Sequence, residues 1–410
     1  MSSQRQQPDE FPLPDGRGDL PIVDSHLFDE LLPAEAAFEL TAGLRKYREP
    51  FIGITEDGTP RPGLYRLNDA GASPRAAVAA ARAYLDGLAP HQQAVGNLPM
   101  DAAEWRLWTN AIPTWHPKGM RLERLAGPDR DRALAVVEAS LSPAGYTQVR
   151  VAMALNQNLG ELIDDYRDTL TEYAYWFTVF GTPSPDAPWG WQLMGHHVDL
   201  HCVFVAGQVV LAPVFLGAEP TVGTGRFEGI HAFRDETDVA LRLRRTLDPD
   251  REEEFLMGTS LRTADLPPDL AGPWNGRHLA GAGSDNLVLP PEGIVAASLP
   301  ADRRDGLVEL IRVYLDRLPS PQAERTLALV REHFDETRFA WRGGHDDVCA
   351  FYYRIHSPVL LIEYDNHPGV FLANPEPARY HVHTIVRAPH GGDYGRDLLA
   401  RHYRLHHGGV

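Results

Sequence analysis

The stretch "GHHVDLHCVFVAGQVVLAPVF" at residues 195–215 places three histidines and an aspartate directly before a long apolar run. The apolar run is typical of a buried strand, in which alternate side chains lie on the same face. Read as one strand, the stretch puts His197, Asp199 and His201 on one face. Imidazoles and a carboxylate at this spacing can converge on a cation, so the stretch predicts a metal site on a sheet.

Two stretches near the C-terminus show the same pattern of polar groups on one strand face. "LLIEYDNHPG" places Glu363, Asp365 and His367 together, and "RYHVHTIVRA" does so for His381 and His383. Turn residues between the two predict a chain reversal that brings the carboxylates of one strand beside the imidazoles of the next. With the first stretch included, the predicted metal ligands are His196, His197, His201, Glu363, His381 and His383.

Two or three histidines with one carboxylate form a ligand set that suits zinc, iron or manganese. We therefore expect a divalent metal ion as cofactor, with zinc favoured and iron, manganese or copper as alternatives. The spacing matches neither the HExxH motif nor a zinc finger, so no known zinc signature supports the site. Glu363 or Asp365 is the expected ligand or general base, and Asp365 and Asp199 are candidates to orient the imidazoles.

Other side chains are candidates for substrate binding and proton transfer. Trp189 and Trp191 stand where a loop enters a strand, a position at which aromatic rings either line a substrate pocket or pack in the core. The guanidinium of Arg387 can bind a substrate carboxylate through two hydrogen bonds. His356 is the candidate for proton transfer.

The order of patterns along the chain predicts an α+β fold. Helical patterns fill most of the first half, and strands, helices, strands and a last helix follow. We expect a helical N-terminal half packed on a mostly antiparallel sheet that carries the histidine clusters. Residues 1–22 are polar and rich in proline and glycine, which predicts a disordered tail, and residues 23–410 are expected to form a single domain. No internal repeat is apparent in the sequence.

Composition excludes several classes of partner. The net charge of −17 argues against nucleic acid and against an anionic membrane surface, because both require a basic face. No run approaches the ~18 apolar residues of a transmembrane helix. Two cysteines without CxxC spacing give no sign of an oxidising compartment. We expect a cytoplasmic protein with a small-molecule substrate, and the sequence does not indicate its oligomeric state.

Several blocks, in order, resemble a family of domains of unknown function, number 3500. They include "FGTPSPDAPWGWQLMGHHVDLH", "YYRIHSPVLLIEYDN" and "HVHTIVRAPHGGDYGRDLL". The resemblance implies a single-domain protein of this length, found in bacteria and fungi, and brings no established activity. The position of His201 is often another polar residue in the family, which ranks it below the other ligands. The "DYG" of the family matches Asp393–Gly395, and Asp393 joins the predicted substrate-binding residues.

The sequence is compatible with three functions. The first is a metal-dependent enzyme, of hydrolase or lyase type, that acts on a small organic substrate through a His/Glu metal site. The second is an oxygenase with redox-active metal, for which two histidines and one carboxylate would be a suitable ligand set. The third is a non-catalytic protein that binds a small molecule and contains a structural metal.

Overall fold

The computed structural model describes residues 49–67, 74–112, 118–163, 166–266 and 278–406, so the tail expected at residues 1–22 lies outside it. The helices in these ranges are α1 (Arg75–Gly87), α2 (Pro90–Gly96), α3 (Gly127–Ser140), α4 (Pro143–Leu162), α5 (Arg234–Thr246), α6 (Glu252–Phe255), α7 (Ala301–Leu315), α8 (Ser320–Glu332) and α9 (Arg396–His406). The strands are β1 (Asn97–Leu98), β2 (Met120–Arg121), β3 (Tyr175–Phe180), β4 (Trp189–Gly195), β5 (Val198–Val205), β6 (Gln208–Ala218), β7 (Leu256–Gly258), β8 (Ile294–Val295), β9 (Arg338–Gly343), β10 (Phe351–Ser357), β11 (Leu360–His367) and β12 (Ala378–Arg387). None of these helices has the length and apolar character needed to cross a membrane.

Local sequence explains how several elements form. Helix α4 begins with a proline directly after Ser142, whose hydroxyl accepts a hydrogen bond from the N–H of Gly145. Serine before the helix and proline in its first turn are a common helix start. Strand β5 is buried at every residue, so both of its faces are covered. This burial explains why the second half of the strand, from Cys202 to Val205, is continuously apolar, while the first half alternates apolar and polar residues.

The strands of the described residues form one mixed sheet. Its order is β1-β3-β4-β5-β6-β12-β11-β10-β9-β7, with β2 also paired to β3 and β8 to β9. Neighbours are antiparallel except for the pairs β1 with β3 and β7 with β9, which are parallel. The two long strands β6 and β12 therefore lie at the centre of the sheet and join two four-stranded meanders, β3–β6 and β9–β12.

This topology occurs twice in the chain. Each meander has at its outer strand one short parallel partner (β1 or β7) and one short antiparallel partner (β2 or β8). Each meander contains a hairpin with a two-residue turn. The last pair of the β4–β5 hairpin is Gly195 with Val198, and that of the β10–β11 hairpin is Ser357 with Leu360. The central strands pair antiparallel. An approximate two-fold axis through the sheet thus relates the halves, a repeat that the sequence does not reveal.

The two faces of the sheet differ in what covers them. One face packs against α1, α3, α4, α5, α7 and α8 in the main hydrophobic core. The opposite face contacts loops and α9 in a smaller core that includes Ile54, Trp108 and Leu398. Most buried charged groups of the sheet lie on this second face, which we call the polar face; it carries Asp199, His201, Arg354, Glu363, Asp365, His383 and Arg387.

The α+β class is confirmed, but the expected helical N-terminal half is wrong. Helices and strands are mixed along the chain: β3–β6 complete the first half, and α5, α7 and α8 belong to the second. The reason is the repeated topology, in which each half supplies its own helices and its own meander to one shared sheet. The helical patterns of the first 160 residues are real, yet they represent only one of two helical groups.

Candidate metal centre

The turn between β4 and β5 consists of His196 and His197. His197 has a φ of 64°, in the left-handed region that side chains rarely adopt. Its carbonyl accepts a hydrogen bond from the N–H of Gly217, which holds the turn against β6. The expectation that His197, Asp199 and His201 share a strand face is therefore wrong, because His197 precedes the strand. The turn instead points His197 towards β12.

Three imidazoles meet beside this turn. The Nε2 atoms of His381 and His383, on alternate positions of β12, lie 3.1 Å apart, and each is within 3.4 Å of the Nε2 of His197. All three side chains are buried. For a tetrahedral zinc ion with Zn–N distances of 2.0–2.1 Å, neighbouring nitrogens lie about 3.3–3.4 Å apart. The three Nε2 atoms, which we call the histidine triad, have the spacing of three ligands on one ion.

Protonation of the triad suits metal binding. The Nδ1 of His381 lies 2.7 Å from the carbonyl oxygen of Pro368 and donates its proton there, so the Nε2 keeps its lone pair. Burial lowers the pKa of His197 and of His383 well below the usual value, and neighbouring imidazoles lower the pKa of His197 further. Neutral imidazole is the form that binds metal ions.

A carboxylate stands behind the triad. Oδ1 of Asp365 lies 3.8 Å from the Nδ1 of His383 and accepts a hydrogen bond of 3.0 Å from the Nδ1 of His278. Burial opposes ionisation of Asp365, but the imidazoles of His278 and His383 hold its pKa well below the usual range. The distance to His383 is too long for a hydrogen bond, so Asp365 acts on this imidazole through its charge and not by fixing its ring. His278, Asp365 and His383 also form a second group whose donor atoms are close enough to share an ion.

Two other predicted histidine ligands lie outside the triad. The ring of His196 stacks on that of His197, with centroids 3.9 Å apart, and its Nδ1 donates to Oδ1 of Asn156. Both ring nitrogens of His201 are engaged: Nδ1 donates to the carbonyl of Pro213, and Nε2 lies 2.7 Å from Nε2 of Gln192. His196 therefore supports the turn, whereas His201 belongs to a separate contact on β4 and β5.

Glu363 also lies outside both groups of possible ligands found among the described residues. Its carboxylate accepts hydrogen bonds from the backbone N–H groups of Leu279 and Ala280 and from the hydroxyl of Tyr352. The oxygen atoms of Glu363 are therefore already used as hydrogen-bond acceptors within the protein. Glu363 holds the segment that follows His278 and so positions that imidazole against Asp365.

The predicted substrate-binding residues lie in other surroundings. Trp189 and Trp191 are fully buried in the main core, on the face opposite to the polar face, with Trp189 stacked on Phe204. Arg387 is fully buried and donates to Asp393, to Asp285 and to the carbonyl of Ala280. Asp393 accepts that bond and one from the N–H of Ala388. The structure does not bring these four side chains to the triad.

His356 lies on the polar face, away from the triad. It is on β10, and its partner on the neighbouring strand β11 is Leu361. Both of its ring nitrogens are buried without a hydrogen-bond partner among the residues described. Burial, and then the nearby Arg354, lowers the pKa of His356 to about 4. It is thus neutral at physiological pH, and its proposed part in proton transfer stays a prediction.

Sequence reasoning missed three buried groups of this region: His278, Asp285 and Glu219. Oε1 of Glu219 accepts the N–H groups of three successive residues, Val370 to Leu372, and lies 3.7 Å from Nδ1 of His381. His278 precedes the "GAGSDN" turn at residues 281–286 and Asp285 lies within it, where no periodic pattern marks them. Only the fold shows that this loop covers the polar face.

Comparison with known proteins gives one match. A family model described as "Protein of unknown function (DUF3500)" matches residues 70–396, which include the whole triad and its neighbours. A search of curated proteins and a search of solved structures gave no match.

Proposed function

The chain belongs to the DUF3500 family, and from that premise and the geometry of its buried histidines we propose that it is a metal-dependent enzyme of hydrolase or lyase type. The proposed ligands are the Nε2 atoms of His197, His381 and His383. The proposed substrate is a small organic molecule. The observation that carries the proposal is the triangle of Nε2 atoms, with sides between 3.1 and 3.4 Å.

Three protein ligands leave a coordination position open, as in catalytic zinc sites, whereas structural zinc sites use four protein ligands. Among the described residues, the group that contains the triad has no fourth histidine, cysteine or carboxylate. A divalent ion held there would supply Lewis-acid chemistry, by lowering the pKa of a bound water or polarising a carbonyl. Zinc is the proposed ion, because three imidazole nitrogens at this spacing fit a tetrahedral arrangement.

The surrounding residues have supporting parts in this proposal. Asp365 places a negative charge 3.8 Å from Nδ1 of His383, too far for a hydrogen bond, and His278 keeps the Asp365 carboxylate in place. Pro368 fixes the tautomer of His381 through its carbonyl oxygen. Arg387 and the two tryptophans are assigned to the framework, since their polar atoms or rings are occupied by the protein.

A redox oxygenase is less well supported by the same geometry. The ligand set typical of non-haem iron oxygenases contains two histidines and one carboxylate. The carboxylates nearest to the triad, Asp365 and Glu219, face Nδ1 atoms, on the far side of the rings from Nε2. A three-nitrogen set favours metal-activated water over oxygen chemistry.

The test is the metal content of the purified protein and of two variants. We expect about one zinc per chain in the wild type and in His201→Asn, and less than about one tenth of that in His383→Ala, because two remaining ligands hold the ion weakly. His201 is the matched control, since it is equally buried but bonded to Gln192 and Pro213. Turnover of a panel of small esters, amides and lactones should fall in parallel with the metal.

Two results would contradict this proposal. Equal metal in the wild type and in His383→Ala would place the ion elsewhere. Loss of metal together with collapse of the fold would indicate a structural ion and favour the non-catalytic alternative, because a catalytic ion occupies a fold that already has its own core.

A further inference from the structure

The two ring nitrogens of His383 have different surroundings. Its Nε2 belongs to the triad, and its Nδ1 lies 3.8 Å from the carboxylate of Asp365. A neutral imidazole whose Nε2 binds an ion carries its proton on Nδ1. The Nδ1 of His381 has an acceptor for that proton, the carbonyl oxygen of Pro368, whereas the Nδ1 of His383 is buried without a hydrogen-bond partner in the described part of the chain. An ion at the triad alone therefore leaves one of its own ligands with an unsatisfied buried nitrogen.

Three imidazoles approach the carboxylate of Asp365 through their Nδ1 atoms. His278 lies 3.0 Å from Oδ1, His367 lies 3.6 Å from Oδ2, and His383 lies 3.8 Å from Oδ1. Only the first of these distances is that of a hydrogen bond. The Nδ1 of His367, like that of His383, is buried and has no hydrogen-bond partner among the described residues. Two such nitrogens beside one buried carboxylate indicate a site for a cation.

The spacing of these atoms suits a metal ion. His278, Asp365 and His383 offer ligand atoms that all lie within 4.8 Å of one another. Around a tetrahedral zinc ion, nitrogen and oxygen ligands at 2.0–2.2 Å lie about 3.3–3.6 Å apart. The distances of 3.0 Å and 3.8 Å from Oδ1 of Asp365 to the two nitrogens lie on either side of this value. A divalent ion between the three atoms would bind the Nδ1 of His383 and would neutralise the carboxylate.

The loop that carries His278 is fixed against the sheet. The N–H groups of Leu279 and Ala280 donate to the carboxylate of Glu363. Gly281 lies so close to the opposite edge of the ring that a Cβ there would be 2.9 Å from the Nε2 of His278. These contacts hold the ring with its Nδ1 edge towards Oδ1 of the neighbouring carboxylate. The ligand is thus oriented before an ion binds, which reduces the entropy lost on binding.

We propose that this centre binds two divalent ions, the first at the triad and the second at His278, Asp365 and His383. His383 then bridges them as an imidazolate, with Nε2 on the first ion and Nδ1 on the second. The bridge rests on the ion of the proposed function. Binding of the second ion releases the Nδ1 proton of His383 and displaces the proton that His278 shares with Asp365. The second ion therefore binds more weakly, and the purified protein carries the first.

The two ions have different parts in this centre. Across an imidazole ring they lie roughly 6 Å apart, too far to share a water as ions about 3.5–4 Å apart do in two-metal hydrolases. The second ion acts on the first through His383, because it fixes the ring and makes the bridging ligand anionic. It also ties the loop that begins at His278 to strand β11.

Zinc titration of the metal-free full-length protein against a chromophoric chelator counts the ions. We expect two zinc ions per chain in the wild type and one in His278→Asn, which lacks a ligand of the second site. We also expect one in His197→Asn, because the Nε2 of His383 then keeps a proton while its Nδ1 binds the second ion. His201→Asn is the matched control, a buried histidine outside both sites, and should bind two.

Copper(II) tests the bridge, since two copper(II) ions joined by one imidazolate are magnetically coupled. The electron paramagnetic resonance signal per copper should fall when a second equivalent is added to the wild type, and it should stay constant in His278→Asn. Two bound ions with additive signals would overturn the bridge. The wild type alone decides this point, so the test stands even if a variant does not fold.

Other outcomes of the zinc titration separate this proposal from the proposed function. A single ion in the wild type that is kept in His278→Asn and lost in His197→Asn would overturn the second site and leave the triad intact. A single ion with the opposite response would overturn the triad, and the bridge with it.

Discussion

The meanders β3–β6 and β9–β12 share one topology but differ in the side chains that they place on the polar face. When the two meanders are aligned on their hairpin turns and strand registers, three positions correspond as follows: Met194 to His356, Val203 to Asp365, and Phe215 to Arg387. The first residue of each pair is apolar and the second is ionisable. At these three positions the first meander packs apolar side chains where the second buries ionisable ones, although the first meander also buries Asp199 and His201 on this face.

In the hairpin turns it is the first meander that has the polar residues and the second that has the apolar ones. The first meander places His196 and His197 in its turn, and the second has Pro358 and Val359. Because β6 and β12 cross the centre of the sheet, the turn of the first meander meets the histidines of the second. The triad thus takes residues from both halves. The backbone repeat therefore supplies two equivalent locations, one beside each hairpin turn. A few side chains decide which of them can hold an ion.

The largest effect on stability is expected at Arg387. Replacement by Met makes this position resemble Phe215 of the first meander but leaves the buried carboxylates of Asp285 and Asp393 without their partner. Breaking a buried ion pair by removing one member costs about 3–5 kcal/mol. Urea unfolding of Arg387→Met measures the loss, and the exposed pair Arg242–Glu309 offers a control whose removal should cost about 0–1 kcal/mol.

Metal content provides the second readout for this variant. If Arg387 is part of the framework, Arg387→Met should retain the metal as long as it is folded. Unchanged stability together with loss of activity would instead support the role in substrate binding that the sequence predicts for Arg387.

The next effect concerns pH and His356. Its pKa of about 4 in the folded protein lies below the value of about 6.5 in the unfolded chain, so the unfolded state binds the extra proton. Stability is therefore lost as pH falls from about 6.5 to about 4, by up to about 3 kcal/mol for this group. His356→Met, which copies Met194, should lose less stability between pH 7 and pH 4.5 in urea titrations. Identical pH dependence in both proteins would show that His356 is not a neutral buried group.

A smaller effect is expected at Asp365, where the first meander has Val203. Asp365→Asn keeps the shape but removes the negative charge behind His383. Because no hydrogen bond to this ring is broken, we expect metal affinity to fall about tenfold, the low end for such a partner. Competition with a zinc chelator measures the change. Glu363→Gln on the same strand is the matched control and should lose less affinity. A loss as large as that of His383→Ala would restore Glu363 as a ligand.

The sequence predicts the residue types of the site better than their arrangement. His197, His381 and His383 stand out because imidazoles cluster within buried strand patterns, and the α+β class follows from the alternation of patterns. The turn at His197 could not be predicted, since a left-handed histidine interrupts what reads as one strand. The partners His278 and Asp285 lie in a loop whose contacts depend on the whole fold. The internal repeat is hidden because matched positions carry chemically different residues.

The most direct test of the central claim is X-ray absorption spectroscopy at the metal edge of the purified full-length protein. A zinc ion held by the triad would give a first shell with three imidazole nitrogens at about 2.0–2.1 Å, and His383→Ala, which should lose most of its metal, would give almost no zinc absorption edge. The account predicts this spectrum at about one ion per chain. A first shell of oxygen or sulfur, or a protein that binds no metal after incubation with zinc and removal of the excess, would contradict it.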